Sequence, residues 1–124
     1  MKPRDAALRL KRFETTEKAR KVASMETMVA DFEHMACDLM RQISAEEERT
    51  GIKDPAHFAY STFAKAARLR RTKLLDSVAD LKVKLDVARR EHEQVAAELS
   101  RLEPVAVRDS DRNLPADDRI AMIG

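Results

Sequence analysis

The sequence has little of what a large hydrophobic core or a disulfide scaffold requires. Its 124 residues include no tryptophan, one tyrosine, four phenylalanines, two glycines and a single cysteine, Cys37. One thiol cannot form an internal disulfide, and so few aromatic residues cannot fill a large interior. Charged residues make up 37% of the chain, well above the quarter that is typical. We therefore expect long helices that share a thin hydrophobic interface.

Long apolar runs are missing as well. No uncharged stretch approaches the ~18 residues that a membrane-spanning helix needs. The N-terminus passes from Met1 directly into charged residues, without the apolar segment of a secretion signal. The sequence thus predicts a cytoplasmic protein that stays in the compartment where it is made.

Motifs for catalysis and cofactor binding are also absent. Two glycines cannot form a glycine-rich phosphate loop, and two helices alone offer no concave pocket for a nucleophile and its base. His34 and Cys37 lie one helical turn apart and could be two zinc ligands, or simply a surface histidine and a small apolar side chain. Zinc requires further ligands. The other two histidines, His57 and His92, are expected far from this pair along the helices. We therefore predict a non-enzymatic protein with no cofactor, no metal and no small-molecule substrate.

Hydrophobic residues recur at alternating spacings of three and four in two long segments. Residues 5–50 contain no glycine or proline, and the series there is Val22, Met25, Val29, Phe32, Ala36, Leu39 and Ile43. In the second segment it is Tyr60, Ala64, Ala67, Arg71, Leu74, Val78, Leu81, Leu85, Ala88, His92, Val95, Leu99 and Leu102. This is the a/d repeat of a coiled coil, and we call these positions the seam.

The phase of the seam is weaker before Val22. Continued towards the N-terminus, it includes Leu8, Lys11, Thr15 and Lys18. Leu10 and Phe13 lie off this phase, which leaves open a change of register over the first three turns.

A short break between residues 50 and 55 separates the two segments. Gly51 can adopt the left-handed conformation that ends a helix. Asp54 followed by Pro55 is typical of a helix start, and Ser61 offers a later start that would leave residues 55–60 as a separate turn.

The two series match each other if the chain folds back at this break. Ile43 then faces Ala64, Phe32 faces Leu74, and the numbers of facing residues add to 106 or 107 in every layer. The sequence therefore predicts an all-α fold, a long antiparallel two-helix coiled-coil hairpin at residues 1–103, with helix 5–50, turn 51–54 and helix 55–103. We expect a monomer. Prolines interrupt residues 104–124, which we predict to be a flexible tail.

Charge and surplus apolar residues indicate two candidate partner-binding surfaces. Residues 1–21 carry a net charge of +5 and residues 22–50 carry −5, which favours defined electrostatic pairing. The basic candidates are Arg9, Lys11, Arg12, Lys18, Arg20 and Lys21. The apolar candidates at the turn exceed what a two-helix seam needs, and we predict an exposed docking patch there: Phe58, Tyr60, Phe63 and Leu69.

Several other residues allow two interpretations. Met28, Met35 and Met40 lie beside the seam, either as a flexible partner-binding surface or as a widened core. His92 is either a pH-sensitive layer or a polar residue that fixes register. Arg71 should extend its guanidinium past its small neighbour in the seam.

Two stretches carry a resemblance to a known family. The N-terminal run from Leu8 to Phe13, followed by residues 17–23, resembles the opening of the flagellar export protein FliJ family of alphaproteobacteria. The stretch Gly51-Ile52-Lys53-Asp54-Pro55-Ala56-His57-Phe58-Ala59-Tyr60, followed by Phe63-Ala64-Lys65-Ala66-Ala67, is also similar to that family. The resemblance covers roughly residues 1–103, and Asp-Pro-Ala-His-Phe-Ala-Tyr is its most specific part.

The resemblance implies a soluble adaptor of the flagellar type III export apparatus. Members of this family are antiparallel coiled coils that bind the export ATPase, the cytoplasmic domain of the export gate and export chaperones. It thus implies a place at the cytoplasmic face of the flagellar basal body, peripheral to the membrane. Two alternatives from the residues alone are a basic coiled coil that binds nucleic acid, which the small net charge disfavours, and a purely structural coiled coil.

Overall fold

The structure is a computed structural model that describes residues 2–113, with side chains described for residues 2–103. Two helices account for nearly all of it, α1 at Pro3–Thr50 and α2 at Thr62–Asn113. No strand occurs in residues 2–113. The two helices pack against each other through apolar side chains, so the predicted all-α helical hairpin is confirmed.

Helix α1 ends where the sequence predicts. Gly51 has a φ of 74°, a conformation that costs other residues free energy because of their Cβ atom. Its N–H donates to the carbonyl oxygen of Glu47 at 2.9 Å, which is the hydrogen bond of a left-handed helix C-cap.

The start of α2 follows the second of the two predicted possibilities. The Asp54 side chain accepts a hydrogen bond from the N–H of Ala56 at 2.9 Å, and its carbonyl oxygen accepts one from the N–H of His57 at 3.0 Å. Because these bonds close a separate turn, the prediction of a helix from Pro55 is wrong. Ser61 is the N-cap, since its Oγ accepts from the N–H of Ala64 at 3.2 Å.

The far end of α2 differs from the expected boundary. The sequence predicts that the helix stops at residue 103, before Pro104, whereas α2 continues to Asn113. A proline within a helix removes one backbone hydrogen bond without necessarily ending it. The remaining part of the predicted tail, residues 114–124, lies outside the described residues.

The chain divides into two compact units. The first, which we call the turn unit, is residues 23–87. Its buried apolar side chains all occupy predicted seam positions, and Ile43 and Ala64 are completely inaccessible to solvent. A core cluster there joins Leu39, Ile43 and Ala67, with Leu74 packed against it. This part of the predicted seam is therefore confirmed.

The second unit, which we call the terminal unit, contains residues up to Val22 and those from Ala88 onward. Of its described hydrophobic residues only Leu8 and Ala88 are buried. Its other seam positions are half-exposed: Lys11, Thr15, Lys18, Val22, His92, Val95, Leu99 and Leu102. Leu10 and Phe13 are 58% and 61% exposed, so the seam keeps its phase and the register change does not occur.

No helix in the described part of the chain has the length and apolar character that crossing a membrane requires.

Candidate partner-binding surfaces

Lysines of α1 lie on the seam of the terminal unit and form ion pairs with glutamates of α2. The Nζ atom of Lys11 is 2.6 Å from a carboxylate oxygen of Glu98, and that of Lys18 is 3.1 Å from Glu91. The hydrogen bond from Lys11 lowers the pKa of Glu98, and the same bond is the main cause that raises the pKa of Lys11. Lys18 likewise lowers the pKa of Glu91. These two lysines are therefore already paired with α2.

The other basic candidates are more accessible. Arg12 is 3.5 Å from Glu103 in an exposed pair, and Lys21 lies at 4.0 Å from Glu91. Arg20 is 72% exposed, and its one ion pair with a described residue is with Glu17 of its own helix, at 2.7 Å. Arg9 is exposed and forms no ion pair with a described residue. Exposed pairs contribute little to stability, so four cations remain available to a partner: Arg9, Arg12, Arg20 and Lys21.

The net charge of each segment does not reveal this division of the basic residues. Residues 81–103 contain equal numbers of acidic and basic residues, so this stretch of α2 looks neutral. Its glutamates Glu91 and Glu98 are seven residues apart and therefore share one face of α2. Matching that face to the lysines of α1 would have identified the internal pairs.

Three of the four apolar candidates at the turn are exposed. Phe58 is 97% exposed and stacks on the imidazole of His57, with ring centroids 4.7 Å apart. Leu69, 57% exposed, lies in a shallow depression that is also lined by Pro55 and Lys65. Phe63 is 55% exposed but does not line that depression. Three apolar side chains are thus accessible near the turn.

Tyr60 is the exception, because it is buried with only 8% of its surface exposed. The prediction that it belongs to an exposed docking patch is therefore wrong. Its hydroxyl donates to Glu47 Oε2 at 2.7 Å and accepts from Arg68 Nε at 2.8 Å. Its burial agrees with its place in the predicted seam, whereas the spacing of apolar residues does not show the polar partners of its hydroxyl.

Glu47, Tyr60 and Arg68 close a triangle of hydrogen bonds. Arg68 Nη2 donates to Glu47 Oε2 at 2.8 Å, and this bond, with the smaller contribution of Tyr60, lowers the pKa of Glu47. The pKa of Arg68 is correspondingly raised, first by Glu47. The triangle ties the end of α1, the connection and the first turns of α2 together.

Two shallow depressions follow each other along the seam of the turn unit. Met35 and Leu74 line the first, together with Asp38, Leu39, Gln42, Arg70 and Lys73. Met28 and Phe32 line the second, with Ser77, Asp80, Leu81 and Lys84. We call the two depressions together the methionine groove. Met28 and Met35 are 42% and 50% exposed, so they do not form a widened core.

Three polar residues singled out above behave differently from one another. Cys37 is exposed as a free thiol, and no group of three or more potential metal ligands occurs among the described residues. His92 is half-exposed in the terminal unit. The Nε atom of Arg71 is buried and has no hydrogen-bond partner within the described part of the chain, so its guanidinium does not fully reach solvent.

Comparisons with family models, with curated proteins and with solved structures give no match for this chain.

Proposed function

We propose that this protein is an adaptor of the flagellar type III export apparatus that binds the export ATPase, the export gate and export chaperones from the cytoplasmic side. The observation that carries the proposal is the resemblance of the stretch from Gly51 to Tyr60 to the FliJ family. The confirmed helical hairpin is consistent with that family's fold, and the accessible cations near the start of α1 offer a surface for an acidic partner.

Electrostatic contact is the physical basis of the proposed ATPase binding. Arg12 and Arg20 project from α1 with 59% and 72% of their side chains exposed. Complementary charges mainly accelerate association and select orientation, and added salt weakens both effects. Lys11 and Lys18 are not part of this surface in the proposal, because they are paired with α2.

The test is a binding measurement with the cognate export ATPase at low and at physiological salt. We expect Arg20→Glu to weaken binding and to reduce motility, with helicity unchanged because glutamate is a good helix former. Arg41→Glu is the matched control. Arg41 is 71% exposed and pairs with Asp38 at 2.7 Å, just as Arg20 is 72% exposed and pairs with Glu17 at 2.7 Å.

Two results would contradict the proposal. One is ATPase binding that neither salt nor Arg20→Glu changes. The other is equal loss of binding in Arg20→Glu and Arg41→Glu, which would mean a general charge effect. A duplex DNA arm in the same experiment addresses the alternative of nucleic-acid binding, since phosphate contacts are strongly salt-dependent. Tight DNA binding that Arg20→Glu abolishes would favour that alternative.

A further inference from the structure

The two edges of the turn unit, residues 23–87, differ in how α1 meets α2. On one edge, ion pairs join Glu47 to Arg68 at 2.8 Å and Glu33 to Lys82 at 3.8 Å. The methionine groove lies on the opposite side of the seam, because Met28 and Met35 each directly precede a seam residue, whereas Glu33 and Met40 each directly follow one. Among the described residues, no ion pair between α1 and α2 involves a residue that lines this groove. One edge therefore has ion pairs between the two helices, and the other exposes apolar side chains to solvent.

The two helices that form the groove carry opposite charge. Residues 26–48 of α1 hold seven acidic residues and one basic residue, while residues 65–84 of α2 hold seven basic residues and two acidic ones. At the groove itself, Asp38 of α1 lies across from Arg70 and Lys73 of α2. Asp38 has only an exposed pair with Arg41 of its own helix, and neither Arg70 nor Lys73 forms an ion pair with a described residue.

This distribution of charge suits a second copy of the chain as the partner better than a single helix that carries only one kind of charge. A helix of one charge would be attracted by one wall of the groove and repelled by the other. A copy related by a two-fold axis along the groove places its α1 over α2 and its α2 over α1, since a two-fold interface uses the same patch twice. Acidic then meets basic on both sides, and the apolar side chains of both copies meet in the middle.

We propose that the methionine groove is a self-association surface through which two hairpins pair into a four-helix arrangement. The groove spans residues 28–42 of α1, which corresponds to ~20 Å of helix. Two helix diameters give a patch on the order of 400 Å² per copy, about half that of a standard stable interface. The dimer is therefore weak and forms with rising concentration, while the protein is a monomer in dilute solution.

The first test compares two methionines of the same helix by sedimentation equilibrium over a concentration series. Met35→Lys puts a cation into the groove against the basic wall of the second copy. Met40→Lys is the matched control, because Met40 is 37% exposed but lies on the opposite side of the seam. We expect Met35→Lys to weaken dimerisation by about tenfold or more and Met40→Lys to leave it unchanged. Circular dichroism checks that both variants remain helical.

The second test uses charge reversal in separate chains. Asp38→Lys alone places lysine opposite Lys73 at both contacts of the dimer, and Lys73→Asp alone places aspartate opposite Asp38. Each variant should dimerise more weakly than the unmodified protein. An equimolar mixture restores opposite charges at both contacts, so it should dimerise more tightly than either variant alone, and more so at low salt.

The proposal is overturned if the unmodified protein stays monomeric at millimolar concentration. It is also overturned if Met35→Lys and Met40→Lys have the same effect, or if the mixed variants dimerise no better than the separate ones. In the first case the groove is either a site for a different protein or a solvated surface.

Discussion

Ile43 is the side chain through which the packing of the hairpin is most directly tested. It is completely buried and belongs to the cluster with Leu39 and Ala67. Its predicted neighbour across the seam, Ala64, is completely buried as well. Both α2 residues have only a methyl group, so neither can extend into space that Ile43 vacates. We therefore expect Ile43→Ala to leave a cavity that closes little.

The expected magnitude follows from the atoms removed. Isoleucine has three more carbons than alanine, and at ~0.8 kcal/mol per buried carbon the lost transfer free energy is about 2.4 kcal/mol. A residual cavity adds to this, so the free energy of unfolding should fall by about 3 kcal/mol, within the usual range for such substitutions. The melting temperature should fall on the order of 10 °C. Ile43→Val, which removes one carbon, should cost about 1 kcal/mol.

Thermal and urea unfolding followed by circular dichroism provides the measurement. Val83→Ala is the control, because Val83 is 67% exposed on α2 and alanine has the higher helix propensity. It should change stability by less than about 0.5 kcal/mol. If Ile43→Ala and Val83→Ala unfold at the same temperature, Ile43 does not pack against α2 and the described seam is incorrect.

Four further predictions concern single groups. Gly51→Ala should destabilise by about 1 kcal/mol through its positive φ alone, because nothing lies within 4 Å of the added Cβ; urea unfolding measures it. Ser61→Ala should cost about 1 kcal/mol by removing the N-cap, and an unchanged urea midpoint would argue against that cap. Arg71→Met should raise the melting temperature, since it removes a buried N–H that has no partner among the described residues; a lower melting temperature would show that the guanidinium stabilises the fold. Four glutamates have pKa values below the usual 4.5: Glu46, Glu47, Glu91 and Glu98. Their ionised carboxylates should therefore stabilise the fold above pH 4.5, and this stability should be lost as the pH falls through their folded-state pKa values. The melting temperature as a function of pH measures the effect.

The spacing of apolar residues is sufficient to predict the hairpin. Two packed helices bury only one stripe of each other, and the alternating spacing of three and four identifies that stripe. Val29 and Leu39 were assigned to the interface from spacing alone and are buried. The seam keeps its phase through Lys11 and Lys18, which form ion pairs with α2, although the off-phase Leu10 and Phe13 left a change of register open. Helix boundaries were less certain, since Asp54 can cap a turn as readily as a helix.

The candidate site was less predictable, because exposure depends on partners that are distant in sequence. Tyr60 and Phe58 are aromatic residues two positions apart, yet one is 8% and the other 97% exposed. Tyr60 occupies a seam position and Phe58 does not, and the Tyr60 hydroxyl is also paired with Glu47 and Arg68. Residue types alone show neither this pairing nor which cations of α1 are occupied by α2.

The triangle of Glu47, Tyr60 and Arg68 has a consequence for the order in which the chain folds. Its hydrogen bonds join residues only 13 and 21 positions apart, so closing this loop costs less chain entropy than any contact nearer the termini. Folding should therefore begin at the turn, where the contacts are most local, and proceed along the helices from there. Each seam layer that forms shortens the loop that the next one must close.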